Sequence, residues 1–134
     1  MSEPLCNQTL LIDLPFLERP YGPGEPDVFC YYDGPLLVRL PAQEGHEMLA
    51  MALPDIPGKA WPFLAFAVLP EQFQALLSDR CTLLHAVCQA QAHWLISDYG
   101  AVSRHLELEP LRFEDISEDW LPGDVFLYRK GRSA

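Results

Sequence analysis

The chain has 134 residues, of which 49% are hydrophobic and 21% are charged. That composition is typical of a single folded domain with a sizeable core, and it excludes a disordered chain. The formal net charge is −10, from 19 acidic and 9 basic residues. Because so acidic a surface repels phosphate backbones, we expect no direct binding of nucleic acid, whereas a basic protein surface would be attracted.

The sequence predicts neither a membrane segment nor a secretory signal. The longest uncharged apolar run, AWPFLAFAVLP, is about half as long as a membrane-spanning helix. The first residues, MSEPLCNQTLLIDLPF, contain acids and no basic stretch, unlike a signal peptide. We therefore expect a cytoplasmic protein that does not contact a membrane. The four cysteines form no C-x-x-C pair, which favours buried thiols in the core over disulfides or metal ligands.

Prolines divide the chain into three regions. Residues 1–27 contain five of the 13 prolines and are predicted to form a Pro-rich N-terminal arm. Within this arm, TLLIDLPFL is either a short edge strand or a segment packed on the body. Residues 28–128 are predicted to form a single α+β domain, and residues 129–134 a basic C-terminal tail.

From residue 28 the apolar runs predict a meander of about four antiparallel strands up to residue 69. In YYDGP, Asp33-Gly34 suits a two-residue hairpin turn between the first two strands. Pro70 then begins a helical pattern, which SDR at 78–80 interrupts. We therefore expect two helices, at about 70–78 and 82–90, with one continuous helix as the alternative.

Two further alternating segments, HWLISDY and RHLELEPL, predict strands on either side of Gly100. FEDISEDWLPGDVFLY is expected to close the domain as a loop or helical turn followed by an extended end. The predicted fold is thus α+β: an antiparallel sheet of about five to six strands, with one or two short helices packed on one face.

Three of these segments also resemble a known family. YYDGPLLV, LPEQFQALLSD and the closing DWLPGD are similar to a family of small uncharacterised bacterial proteins that share a Tyr-Tyr-Asp-Gly-Pro turn and a closing Trp-Leu-Pro. The resemblance covers about residues 28–122 and implies an intracellular bacterial α+β protein. It implies no activity, and the Pro-rich arm and the basic tail depart from the family pattern.

No residue pattern in the sequence predicts an enzyme site, a metal or a cofactor. The four histidines, at 46, 85, 93 and 105, lack the spacing of metal ligands. Cys81 and His85 could meet on an unbroken helix, but an apolar stripe in an acidic protein favours an inert thiol. Neither Ser97 nor Ser103 lies in a G-x-S-x-G elbow, and no phosphate-binding glycine motif is present.

Aromatic residues beside acids are the remaining signal. Exposed aromatics can anchor a protein partner while nearby carboxylates steer its approach. The alternative is that these aromatics close the ends of a small core. The same two interpretations apply to Trp94, which lies near a predicted strand end. The candidate partner-binding residues are Tyr31, Tyr32, Asp33, Glu114, Asp115, Glu118, Asp119 and Trp120.

Three functional hypotheses follow. The first is a non-catalytic protein-interaction module with an accessory or regulatory role. The alternative is an acidic inhibitor or immunity-type protein that masks a basic, nucleic-acid-binding surface of its partner. The third is an enzyme of unknown class that uses Cys81 and His85 or the acidic loop. The sequence leaves a homo-oligomer open.

Overall fold

The computed structural model describes residues 7–13, 28–31, 35–54, 56–59, 62–97 and 105–123. Within these residues, seven strands form one antiparallel sheet, and two short helices follow the fifth strand. The strands are β1 Leu10–Asp13, β2 Val28–Tyr31, β3 Pro35–Gln43, β4 His46–Ala52, β5 Phe63–Val68, β6 Ala92–Ile96 and β7 His105–Leu111. The helices are α1 Pro70–Leu77 and α2 Leu83–Cys88, and two 3₁₀ turns cover Phe113–Asp115 and Glu118–Trp120.

The order of the strands across the sheet is β1-β7-β6-β5-β4-β3-β2. β2 to β5 therefore form the predicted meander, and β6 and β7 add to it after the helices. β1 pairs with β7 from Leu10↔Leu108 to Asp13↔His105, so TLLIDLPFL contains an edge strand. The predicted α+β fold, with an antiparallel sheet and two short helices, is confirmed, and β1 extends the sheet by a further strand.

The residues around the helix ends explain why there are two helices. α1 begins with its proline, and the side-chain oxygen of Gln72 accepts a hydrogen bond from the Leu69 amide at 2.7 Å. Asp79 has a φ of 59°, in the left-handed region, which ends the helical path. Thr82 then caps α2, because its hydroxyl accepts from the His85 amide at 3.3 Å. The predicted break between two helices is confirmed.

Apolar residues are buried on both faces of the sheet. The strand-side core is built from strand residues alone, whereas the helix-side core includes the helices and the segment after β7. The strand-side core is Ile12, Val38, Leu40, Met48, Ala50, Phe63, Ala65, Ala67, Ala92, Trp94, Ile96, Leu106 and Leu108. The helix-side core is Leu37, Leu49, Met51, Leu53, Leu64, Phe66, Val68, Phe73, Leu76, Ala86, Val87 and Ile116. Burial of both faces explains why β5 reads as an uninterrupted apolar run.

Arg39 links α1 to the sheet through an ion pair and an aromatic contact. Arg39 on β3 donates from Nε and Nη2 to the carboxylate of Glu47 on β4, with the shortest contact 2.7 Å. Its guanidinium carbon also lies 4.8 Å from the centre of the Phe73 ring on α1. Because the same cation contacts both a carboxylate and an aromatic ring, it fixes the helix against β3 and β4.

The YYDGP turn is only partly described. β2 ends at Tyr31 and β3 begins at Pro35, and these two residues pair across the antiparallel ladder. The two strands that were predicted to flank the turn are therefore present. Tyr32, Asp33 and Gly34 lie outside the described residues, as do the ends of the chain that were assigned to the basic tail and to most of the Pro-rich arm.

A second tight turn, between β3 and β4, offers a direct test of backbone conformation. Glu44 and Gly45 have φ values of 49° and 81°, as a two-residue hairpin of this hand requires. A Cβ at Gly45 would meet nothing within 4 Å, so the cost of substitution comes from the backbone alone. We expect Gly45→Ala to lower the free energy of unfolding by about 1–2 kcal/mol in urea denaturation. Gly45→Asn is the control and should cost less, because asparagine tolerates this conformation better; equal costs would contradict the explanation.

Candidate functional site

The acidic residues predicted to bind a partner follow β7 in two consecutive 3₁₀ turns. Ile116, between the turns, is only 9% exposed and packs into the helix-side core. The second turn is capped by Ser117, whose hydroxyl accepts from the Asp119 amide at 3.2 Å. The buried isoleucine and the cap hold the backbone in place, while the charged side chains on either side remain in solvent. Those side chains, all exposed, are Glu114, Asp115, Glu118 and Asp119.

We call residues 109–119 the acidic segment. It contains five carboxylates and a single cation, Arg112. The Arg112 Nε donates to Asp115 Oδ2 at 3.1 Å, and its Nη1 lies 3.7 Å from Glu114 Oε1. The hydrogen bond that Arg112 donates to Asp115, followed by the charges of Asp115 and Glu114, raises the pKa of Arg112. No cation among the described residues pairs with Glu118 or Asp119, so the segment presents a net negative charge.

Trp120 directly follows the acidic segment and is half-buried. Its indole packs against the edge of the helix-side core, so it contributes to the fold as well as to the surface. Trp120 therefore lies directly beside the predicted carboxylates of the acidic segment. Tyr31 lies on β2, at the far end of the strand order from β7, and its side chain is outside the described residues, as are Tyr32 and Asp33.

Trp94 differs from Trp120. It is 0% exposed at the centre of β6 and belongs to the strand-side core. Its indole N–H donates to the backbone oxygen of Gln8 at 2.7 Å, which satisfies the one polar atom of the side chain. The structure assigns Trp94 to the core and removes it from the candidates for a binding surface.

A cleft that the sequence did not predict lies beside the acidic segment. It has a volume of about 330 Å³ and is formed where α2 ends, β6 begins and β7 ends. Its lining is Asn7, Cys88, Ala90, Gln91, Ala92, His93, Leu111, Arg112 and Phe113. The volume is at the lower end of the range for ligand pockets, so only a small group fits.

His93 is the buried polar residue of this cleft, at 4% exposure. Its Nε2 lies 2.6 Å from the backbone oxygen of Val87, and since that oxygen can only accept, Nε2 carries the hydrogen. Burial lowers the pKa of His93, and the hydrogen bond to Val87 opposes the shift. The imidazole is therefore neutral near pH 7, with a free acceptor lone pair at Nδ1. The sequence signal for this residue was a histidine within the apolar strand AHWLI, on the face that carries the helices.

The cysteine and histidine pair considered for nucleophilic catalysis is not on one helix. Cys81 precedes the cap of α2, and His85 is exposed. Burial raises the pKa of the Cys81 thiol, with a smaller opposing effect of Arg80, so the reactive thiolate is disfavoured. Cys81 and Cys88 are free thiols, but both are half-buried, which corrects the prediction of buried core thiols for these two residues. The side chains of Cys6 and Cys30 lie outside the described part of the chain.

Other kinds of site find no support in the described part of the chain. No group of three or more His, Cys, Asp or Glu residues there is arranged to hold a metal ion. None of its helices is long and apolar enough to cross a membrane. No family model matches the chain, and neither a curated protein nor a solved structure matches it. The resemblance carried by YYDGPLLV and DWLPGD stays a prediction.

Proposed function

We propose that this chain is a non-catalytic protein-interaction module of the bacterial cytoplasm, with an accessory or regulatory role. The acidic segment would bind a basic surface of a protein partner. The observation that carries the proposal is the placement of Glu114, Asp115, Glu118 and Asp119. All four are exposed, on two turns that Ile116 fixes to the core.

Fixed charges suit recognition better than charges on a flexible loop. A carboxylate held by an ordered backbone loses little conformational freedom when a partner binds, so more of the electrostatic attraction remains as affinity. Charges of one sign also speed the encounter with an oppositely charged surface. Trp120 supplies apolar area at the end of the same segment, where a partner that the carboxylates have attracted can bury it.

A specific observation also favours the alternative function, an acidic inhibitor or immunity-type protein. Glu118 and Asp119 have no ion-pair partner among the described residues, so their charges are available to imitate the phosphates of a nucleic acid. Such a protein would mask a nucleic-acid-binding surface. Its complex should weaken steeply as salt is added, whereas a complex held mainly by apolar contacts should weaken little.

The test compares two variants of equal charge. The partner is recovered by cross-linked pull-down from the native host, and binding kinetics are measured at several salt concentrations. We expect Glu118→Gln/Asp119→Asn to slow association about three- to tenfold and to reduce the salt dependence. Glu44→Gln/Glu71→Gln is the matched control, because it removes two exposed carboxylates from a hairpin turn and from α1.

Two outcomes would count against the proposal. If both double variants slow association equally, only the overall charge of the protein matters, and the acidic segment has no special role. If neither variant changes the association rate, the segment is solvated surface. A competition experiment separates the two functions. The nucleic acid that the recovered partner binds should displace this chain from the partner only if the chain masks the nucleic-acid-binding surface.

A further inference from the structure

His93 contributes one hydrogen-bond acceptor to the lining of the cleft. Because Nε2 is committed to the Val87 oxygen, the imidazole can accept from a ligand only at Nδ1, which has no hydrogen-bond partner among the described residues. His93 is 4% exposed, so a donor group that reaches its ring loses its contact with water. A ligand with an N–H group is therefore favoured over one that offers only acceptors.

Phe113 gives the cleft an aromatic wall. This residue is 43% exposed, although a large apolar side chain is normally buried. Its ring centre lies 5.4 Å from that of His93, and the two planes are inclined at 48°. The imidazole therefore does not stack flat on the phenyl ring, and part of the ring surface remains free for a flat group.

The charges around the cleft select the sign of the ligand. Arg112 lines the cleft, but Asp115 and Glu114 neutralise its guanidinium. Glu109 is exposed on β7, two positions before the lining residue Leu111. Two carboxylates thus contact one arginine, and Glu109 adds a third negative charge on the same strand as Leu111, so the local charge is negative, a cation gains energy near the cleft and an anion is repelled.

From these observations we infer that the cleft binds a planar monocation, a guanidinium or amidinium group. One N–H of the group donates to Nδ1 of His93, and its flat face lies over the ring of Phe113 as a cation–π contact. The carboxylates of Glu114 and Asp115, which contact the lining residue Arg112, balance the charge. This inference goes beyond the proposed function, since a planar cation binds in the cleft whether or not the acidic segment binds a partner.

Three probes of the same size and different charge test the inference: benzamidine, benzamide and benzoate. Cys88 lines the cleft, so the rate at which iodoacetamide alkylates it reports occupancy, read by peptide mass spectrometry. At a benzamidine concentration of about three times its Kd, about a quarter of the clefts remain empty, so alkylation of Cys88 should slow about fourfold. Cys81, also half-buried but not in the cleft lining, is the internal control and should react at an unchanged rate.

Variants assign the effect to the cleft. Phe113→Ser removes an exposed ring and should abolish protection by benzamidine without lowering the melting temperature appreciably. His93→Gln should weaken protection; if it fails to fold, Phe113→Ser still decides. Equal protection by benzoate, or unchanged protection in Phe113→Ser, overturns the inference, and so does the absence of any protection by benzamidine.

Two further probes distinguish the sources of such a cation. N-acetylargininamide represents a free small molecule, and the peptide Ac-Gly-Arg-Gly-amide represents an arginine side chain of a protein. Tighter binding of the peptide identifies a protein segment as the natural ligand, whereas tighter binding of the small compound identifies a free cation. If either probe binds, the result supports a planar-cation site. If neither probe binds, the inference is wrong.

Discussion

Replacing Trp94 by alanine is expected to lower the free energy of unfolding by about 3–5 kcal/mol. The indole is 0% exposed at the centre of β6, so the substitution leaves a large cavity in the strand-side core. It also removes the hydrogen bond from the indole N–H to the Gln8 backbone oxygen. Urea denaturation followed by far-UV circular dichroism measures the loss, and Trp94→Phe gives a milder variant if the alanine protein does not fold.

Trp120→Ala is the matched control for this prediction. Its indole is half-buried at the edge of the helix-side core, so its removal should cost about 1–2 kcal/mol and leave the fold intact. Equal losses for the two tryptophans would show that their different burial does not govern stability. Under the proposed function, the effects on binding are the opposite of those on stability. Trp120→Ala should speed dissociation from the protein partner, whereas Trp94→Phe should not.

The second large effect is a loss of stability in mild acid that depends on His93. Burial lowers the pKa of this residue in the folded protein, while in the unfolded chain it stays near its ordinary value. Below about pH 6.5 the unfolded state therefore binds a proton that the folded state does not. Stability is complete above that pH, and it falls as the pH drops from there towards the folded pKa. One proton gives a slope of at most about 1.4 kcal/mol per pH unit.

Urea denaturation at about pH 7.5, 6.5 and 5.5 measures this slope. His93→Gln should flatten it, because glutamine does not titrate and can still donate to the Val87 oxygen. His85→Gln is the control, since that side chain is exposed. If His93→Gln retains the full pH dependence of the wild type, another group causes it and the burial argument is wrong.

Local sequence was sufficient to predict most of the fold. Alternation in HLELEP places Leu106 and Leu108 in the core and Glu107 and Glu109 in solvent, as the structure shows. Pro70 predicted the start of α1, and SDR predicted its end. These predictions succeeded because helix caps and strand alternation depend on a few neighbouring residues.

Features that depend on distant residues were not predicted. The partner of β1 is an example, because nothing near Leu10 indicates that it pairs with Leu108. The cleft is another, since its walls come from separate elements that only the folded chain brings together.

The exposure of the acidic residues was predicted, because burying unpaired carboxylates is costly wherever they lie.

The position of β1 at the edge next to β7 also determines when the sheet can be completed. Leu10 and its partner Leu108 are 98 positions apart, and Trp94 donates to Gln8 across 86 positions. During synthesis on the ribosome, β1 emerges early and must remain unpaired until nearly all the other strands have left the exit tunnel. A nascent chain that stalls before residue 105 would therefore leave β1 without its partner strand and the β7-facing edge of β6 open to chaperones and to other chains.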